Sequence, residues 1–142
     1  MIDYDELLAK LIAWTVETGG FHGDRQLSDE LLLATGWKVE QDPTFQGGIR
    51  WYFGVNPQVS SSESQRPHLI HDIGTAIAAR PYRWNISFTI VMEPAFLSVC
   101  HIWPSGRPPI EGFMGASKES EPHAVMISVV KAWQSLAKGA AG

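Results

Sequence analysis

Residues 82–92, YRWNISFTIVM, constrain this chain more than any other stretch. The even positions Tyr82, Trp84, Ile86, Phe88, Ile90 and Met92 are all aromatic or apolar, whereas the odd positions begin Arg83, Asn85, Ser87 and Thr89. Side chains alternate between faces along a strand, so the segment predicts a strand with one large apolar face and one mostly polar face. Such a strand needs a helical layer over the apolar side and pairing neighbours along its edges. The even-numbered face is expected to be the buried one, with Trp84 and Phe88 in the core.

The segments around it supply both needs. After the tight Glu93-Pro94-Ala95 connection, residues 96–103, FLSVCHIW, are expected to pair back antiparallel. Leu97, Val99 and Trp103 fall on one face and Phe96, Cys100 and Ile102 on the other, as in a strand covered on both sides or lying at an interface. Residues 110–116 would add a third strand, although Gly112 and Gly115 weaken it. Helical spacing predicts helices over residues 3–16, 24–35, 67–79 and 121–138. Thr18-Gly19-Gly20 is expected to end the first. Asp24 or Ser28 is expected to cap the second, with Gly36 as its left-handed C-terminal residue and Trp37 packing back on it. Pro81 stops the third, and Ser120 caps the last.

Between helices two and three, residues 38–48 read as irregular. Residues 49–55 read as a short strand, and residues 56–65 as a polar loop. The fold class is therefore α/β of the α+β type: a layered sandwich of a small, mainly antiparallel sheet covered by helices. One domain spans 1–142, with a flexible loop at 56–66.

Composition narrows the setting. The chain has 142 residues, 44% hydrophobic and 18% charged, which fits an ordinary globular protein. Net charge is −4 and no two Lys or Arg are adjacent, which speaks against a nucleic-acid groove or a polybasic anchor. No apolar run approaches the roughly 18 residues of a membrane span. The acidic start MIDYDELL lacks the basic region of a signal peptide, and the single Cys100 cannot form an intrachain disulfide. A cytoplasmic protein is expected. Six Trp and six Phe exceed what one modest core needs, so a homo-oligomer is expected, with a Trp-rich monomer core as the alternative.

Three pieces of the chain resemble the phage ABA-sandwich domain family: LLLATGW at 31–37, HDIGTAIAARPYRWNI at 71–86, and the SEPHAVMISVVKAW helix at 120–133. The resemblance covers roughly residues 24–138. The N-terminal helix and the serine-rich loop depart from the pattern. The resemblance implies a phage or prophage accessory protein in the host cytoplasm with a layered fold, and it carries over no catalytic residue.

Few residues invite a chemical role. His68 and His71 lie three apart and could share a helix face, and with His101 or His123 they could hold a metal. No HExxH-type pattern supports that, and no metal or cofactor is expected. Cys100 and His101 point to opposite faces and cannot form a nucleophile–base pair. Cys100 reads as a core residue. The candidate ligand site is a phosphate corner at the start of the last helix, built from Ser117, Lys118, Ser120 and His123. Trp103 or Phe113 would stack on a base, and Arg107 is a further cation; Trp51 and Arg50 offer a second such pair.

These features predict a non-enzymatic binding module. It would bind an anionic small molecule or nucleotide, or a host protein, in counter-defence. The alternatives are a small hydrolase using His71 or His101, and a structural or packaging accessory of the virion.

Overall fold

The computed structural model describes residues 2–54 and 58–141. Ten elements follow in order: α1 (Tyr4–Ala13), α2 (Val16–Ala34), β1 (Lys38–Gln41), β2 (Ile49–Phe53), β3 (Val59–Ser62), α3 (Ile73–Ala78), β4 (Asn85–Val91), β5 (Leu97–Trp103), β6 (Phe113–Ser117) and α4 (Glu121–Ala141). Short 3-10 turns precede β2, follow β3 and precede β6. The strands form two antiparallel three-stranded sheets, β1-β2-β3 and β4-β5-β6. The architecture is the expected α+β layering, with two small sheets in place of one. Among the described residues no helix is long and apolar enough to cross a membrane.

α4 is the axis of the molecule. From His123 to Val130 every residue is buried, on all sides of the helix. A helix apolar all round belongs between layers. α1, α2 and α3 pack on one side of it, and β5 and β6 on the other. Gly115 of β6 marks the closest approach: a Cβ there would stand 2.2 Å from the carbonyl oxygen of Ala124 and 2.7 Å from the amide nitrogen of Ser128. Only a glycine lets the sheet come so near the helix backbone. Cys100, fully buried, sits beside Gly115 in the register and accepts a hydrogen bond from Ser128 Oγ at 3.3 Å.

The first sheet attaches at the far end of α2. Gly36 closes that helix at φ +101°, and the Trp37 amide donates back to the Leu32 carbonyl at 3.0 Å. Trp37 then stacks on Phe53 of β2, ring centres 5.6 Å apart. Trp51 is buried, and its indole N–H donates to Glu63 Oε2 at 2.9 Å. Arg66 grips the Asp29 carboxylate through Nε at 2.6 Å and Nη2 at 3.0 Å, and it pairs with Glu63 at 3.1 Å. Arg25 shares Asp29 at 3.0 Å.

Several expectations are corrected. α1 stops at Ala13, and α2 begins at Val16 and runs through Gly19-Gly20. Glycine costs a helix only about 1 kcal/mol, so it is a weak stop when packing at Leu27, Leu31 and Leu32 holds the helix in place. Asp24 and Ser28 lie inside α2 instead of capping it. Ser28 Oγ accepts the Leu69 amide N–H at 2.9 Å. β1 and β3 occupy segments expected to be irregular or loop, because β2 pairs with each across polar residues that carry no apolar alternation. Val55, Asn56 and Pro57, expected at the end of one strand and the start of the loop, lie outside the described residues. The third helix spans only Ile73–Ala78, since the Asp72 carboxylate caps the amides of Gly74 at 2.9 Å and Thr75 at 3.3 Å. α3 packs chiefly on α4.

The largest correction concerns the organising strand. β4 pairs with β5 in the expected antiparallel hairpin, Phe88 opposite Cys100. Its even face is not buried along its length. Trp84 and Ile86 pack on the core, whereas Phe88 is 38% exposed, Ile90 45% and Met92 69%. Tyr82, in the turn before the strand, is 84% exposed. α4 lies across β5 and β6, and β4 projects beyond it as an edge. The doubly apolar β5 faces α4 through Ser98, Cys100 and Ile102, all fully buried, while its other face is half-buried.

Candidate functional site

The corner at the start of α4 assembles from β6, the turn after it and the first turn of the helix. His123 Nε2 lies 2.5 Å from the Leu11 carbonyl oxygen, which can only accept, so Nε2 carries the proton. Nδ1 is then an acceptor, and Ser117 Oγ donates to it at 2.7 Å. The same Oγ accepts the amide N–H groups of Glu119 at 2.9 Å and Ser120 at 3.2 Å. Ser120 Oγ accepts the His123 amide at 3.3 Å, the expected cap. Burial pushes the His123 imidazole below its usual range, against a smaller opposing pull from the Leu11 carbonyl, and holds the ring neutral. Every hydrogen-bonding position of the Ser117 hydroxyl is thus occupied, and the side chain is buried. The pair resembles a nucleophile and its base in distance. Its surroundings make it a knot tying α1, β6 and α4, because attack would require the hydroxyl to leave three partners.

Ser117, Ser120 and His123 are therefore brought together as anticipated, but the amides of the corner are already spent on serine oxygens. Lys118 stands exposed at the rim of a cleft of about 350 Å³ that Ile12, Trp14 and Lys131 also line. Lys131 Nζ donates to the Met114 carbonyl at 2.8 Å. The aromatic ring at this corner is Trp14, 4.9 Å from the His123 ring. Phe113 lies at the opposite end of β6, about 13 Å of strand away, and stacks on Trp84 at 6.2 Å. Trp103 occupies the outer face of β5 beside His101. Arg107 lies in the exposed turn before β6, 3.8 Å from Glu111. The anticipated stacking rings and the anticipated cations do not share a pocket. Arg50 lies over Tyr52 at 4.6 Å and pairs with Glu40 at 2.9 Å, while Trp51 is in the core.

A second polar cluster was not visible in the sequence. Trp14, in the two-residue link between α1 and α2, donates its indole N–H to Asp24 Oδ1 at 2.7 Å. Asp24 Oδ2 lies 2.8 Å from His71 Nε2. The His68 ring is 4.3 Å from that of His71, and its Nδ1 is buried without a hydrogen-bond partner. Burial, with the nearby charges of His71 and Arg25, pushes His68 down to about 4. His71 is half exposed and oriented by a buried carboxylate, the arrangement of a general base. Its signal in the sequence was weak, since Asp24 and His71 are 47 residues apart and each reads as a local helix residue. His101 lies elsewhere, its Nε2–H donating to the Pro109 carbonyl at 2.8 Å.

The second sheet turns a half-buried face away from α4, with the Pro109–Glu111 turn packed against β5. Its outer face carries Leu97, Val99, His101 and Trp103 from β5 with Met114 from β6, and α4 covers only the opposite face. β4 adds a seven-residue edge with no charged side chain and no proline. The sequence left this face of β5 open between a covered strand and an interface, with Trp103 as a stacking ring, and it placed the even face of β4 in the core. The missed signal was the absence of any second apolar helix able to cover β4. Comparison with protein-family models, with curated proteins and with solved structures found no match for this chain.

Proposed function

We propose that this chain is a non-enzymatic binding module that works as an oligomer and recognises another protein through the outer face of β4–β5–β6. The observation that carries the reading is that face itself: Leu97, Val99, Trp103 and Met114 form an apolar strip, with His101 among them, on the side of the sheet away from α4. Rings and thioethers of this kind are the residues that protein interfaces enrich. The family resemblance supports a phage accessory role in the host cytoplasm, with a host protein as the partner. A photoreactive residue at Met114, with a control at the exposed Glu17, tests this in cells of the host. One dominant protein adduct from Met114 that Trp103→Glu abolishes is the expected result. The same adducts from both positions would sink the reading.

A second reading has one observation of its own, the cleft beneath Lys118 and Lys131. It would hold an anionic small molecule such as a nucleotide, with Trp14 at its wall. Calorimetry with cyclic and linear nucleotides on the native chain and Lys118→Glu decides it. Binding weakened about tenfold or more by the substitution supports sequestration, and no heat across the panel removes it.

A further inference from the structure

The free edge of β4 points to a specific occupant. β4 is the outermost strand of its sheet, seven residues long, and among the described residues nothing pairs with its second edge. Alternate residues of such an edge hold their N–H and C=O groups outward, ready for another strand. Proteins normally blunt an edge of this length with charge, proline or a bulge, and β4 has no such device within it. The strand exposes Phe88 and Ile90 on the side facing α4 and Thr89 and Val91 on the other, so from Ser87 onward it is open on both faces and along its edge.

We propose that β4 pairs antiparallel with β4 of a second copy of this chain, about a two-fold axis at Phe88, fusing two three-stranded sheets into one of six strands. The inference rests on the oligomeric part of the preceding reading and names its interface. The sequence around Phe88 is self-complementary. In that register Phe88 meets Phe88, Ser87 meets Thr89, Ile86 meets Ile90, and Asn85 meets Val91. A two-fold interface requires this kind of pattern, because one patch must fit itself. Opposed side chains stand about 5 Å apart across such a pair, so Phe88 and its two isoleucine neighbours would form one apolar strip. The flanks of the strand carry opposite charge. Arg83, in the turn before β4 with its backbone in the left-handed region at φ +64°, and Glu93, in the bend after it, flank the strand; both are exposed, and neither is in an ion pair among the described residues. Antiparallel pairing of β4 places the turn that carries Arg83 of each copy at the same end of the interface as the bend that carries Glu93 of the other. A foreign strand would have no reason to match both ends.

Charge reversal reads this directly. Sedimentation equilibrium of the native chain is expected to give a dimer. Arg83→Glu alone and Glu93→Arg alone each place two like-charge pairs at the interface, and each should raise the dissociation constant at least about tenfold. An equimolar mixture of the two variants restores both attractive pairs and should form a mixed dimer about as tight as the native one. Phe88→Lys should be monomeric, with an unchanged circular dichroism spectrum. A native chain that is monomeric at 100-fold micromolar concentrations, roughly the 0.1 mM range, overturns this interface and the oligomeric reading together. An oligomer indifferent to all three substitutions overturns this interface and leaves the oligomeric reading standing. Dimers weakened by both reversals but not restored on mixing overturn the antiparallel register.

Discussion

The two sheets are alike in strand number and direction and differ in how they are held and how they end. The first, β1–β2–β3, is edged by strands of four residues, and β1 carries Lys38 and Glu40 on its short length. It is tied to α2 by a charged network in which Arg66 and Arg25 share Asp29. The second is edged by the seven uncharged residues of β4 and held by apolar contact with α4. Short charged edges discourage further pairing, and long neutral ones invite it. The same contrast separates the forces. The first sheet adds directional, salt-sensitive contacts to its buried Trp51 and the Trp37–Phe53 stack, whereas the second relies on buried area and close backbone approach.

The strongest challenge to that contrast is Ile102→Ala. Ile102 is fully buried between β5 and α4, and emptying its site should cost about 2–5 kcal/mol in urea unfolding. A loss below about 1 kcal/mol would mean that the second sheet is not held by its α4 face. Arg66→Gln should cost about 2 kcal/mol, the scale of charge-assisted hydrogen bonds to a half-buried carboxylate. Its effect should shrink in high salt, whereas that of Ile102→Ala should not.

Acid sharpens the comparison further. His68 lies near Asp24, Arg25, Asp29 and His71, on the helical side that carries the first sheet. Its folded value of about 4 lies below the ordinary 6.5, so between those values the unfolded chain binds more protons than the folded one. Stability should therefore fall as pH drops from about 6.5 towards 4, by roughly 1–2 kcal/mol for this partly buried ring. The depressed His123 adds in the same direction. Asp29 extends the loss to lower pH. Burial pushes its carboxyl up, but the hydrogen bonds from Arg66 and Arg25 outweigh that and hold it below the ordinary range. Its contribution persists above that range and disappears as pH falls through the folded value. Thermal melts of the native chain and His68→Phe across this window check the histidine part, and the variant should give the flatter profile.

The smallest effect expected is from Phe88→Ala. With 38% of its surface exposed, this residue should change the unfolding free energy of the dissociated chain by no more than about 1 kcal/mol. A core aromatic would cost about 3–5 kcal/mol. Measured in dilute solution, a large loss would return β4 to the core and erase the difference between the two sheets.

Alternation at 82–92 was enough to identify β4, and spacing was enough to identify α4 and its Ser120 cap. The β4–β5 hairpin and the buried Cys100 were legible for the same reason, since neighbouring residues set them. What could not be read was which strand lies at an edge. That depends on the width of α4 relative to three strands, and Phe88 and Ile102 look equally apolar in the chain. β1 and β3 escaped because KVEQ and VSSS carry no apolar alternation. They form only because β2 lies between them. Of the candidate site, the Ser117–Ser120–His123 cluster was local in sequence and could be found. The Trp14–Asp24–His71 cluster was not, because a helix link, a helix interior and a turn meet there only through the packing of α2. Trp103 and Phe113 were assigned to the same pocket as Lys118 because sequence proximity conceals the length of a strand.

The contact between His123 and the Leu11 carbonyl joins residues 112 positions apart, and Leu7 and Leu11 are buried in the same cluster as α4. That distance can also be expressed in time. At synthesis rates of about 5–20 residues per second, α1 leaves the ribosome roughly 5–25 s before the helix it docks against is complete. During that interval α2 can meet α1, as in the bond from Tyr4 Oη to the Ala34 carbonyl, but the side that packs on α4 has no native partner. α1 thus completes its packing only when α4 is made, and for those seconds a nascent chain would present Leu7 and Leu11 to any holding chaperone.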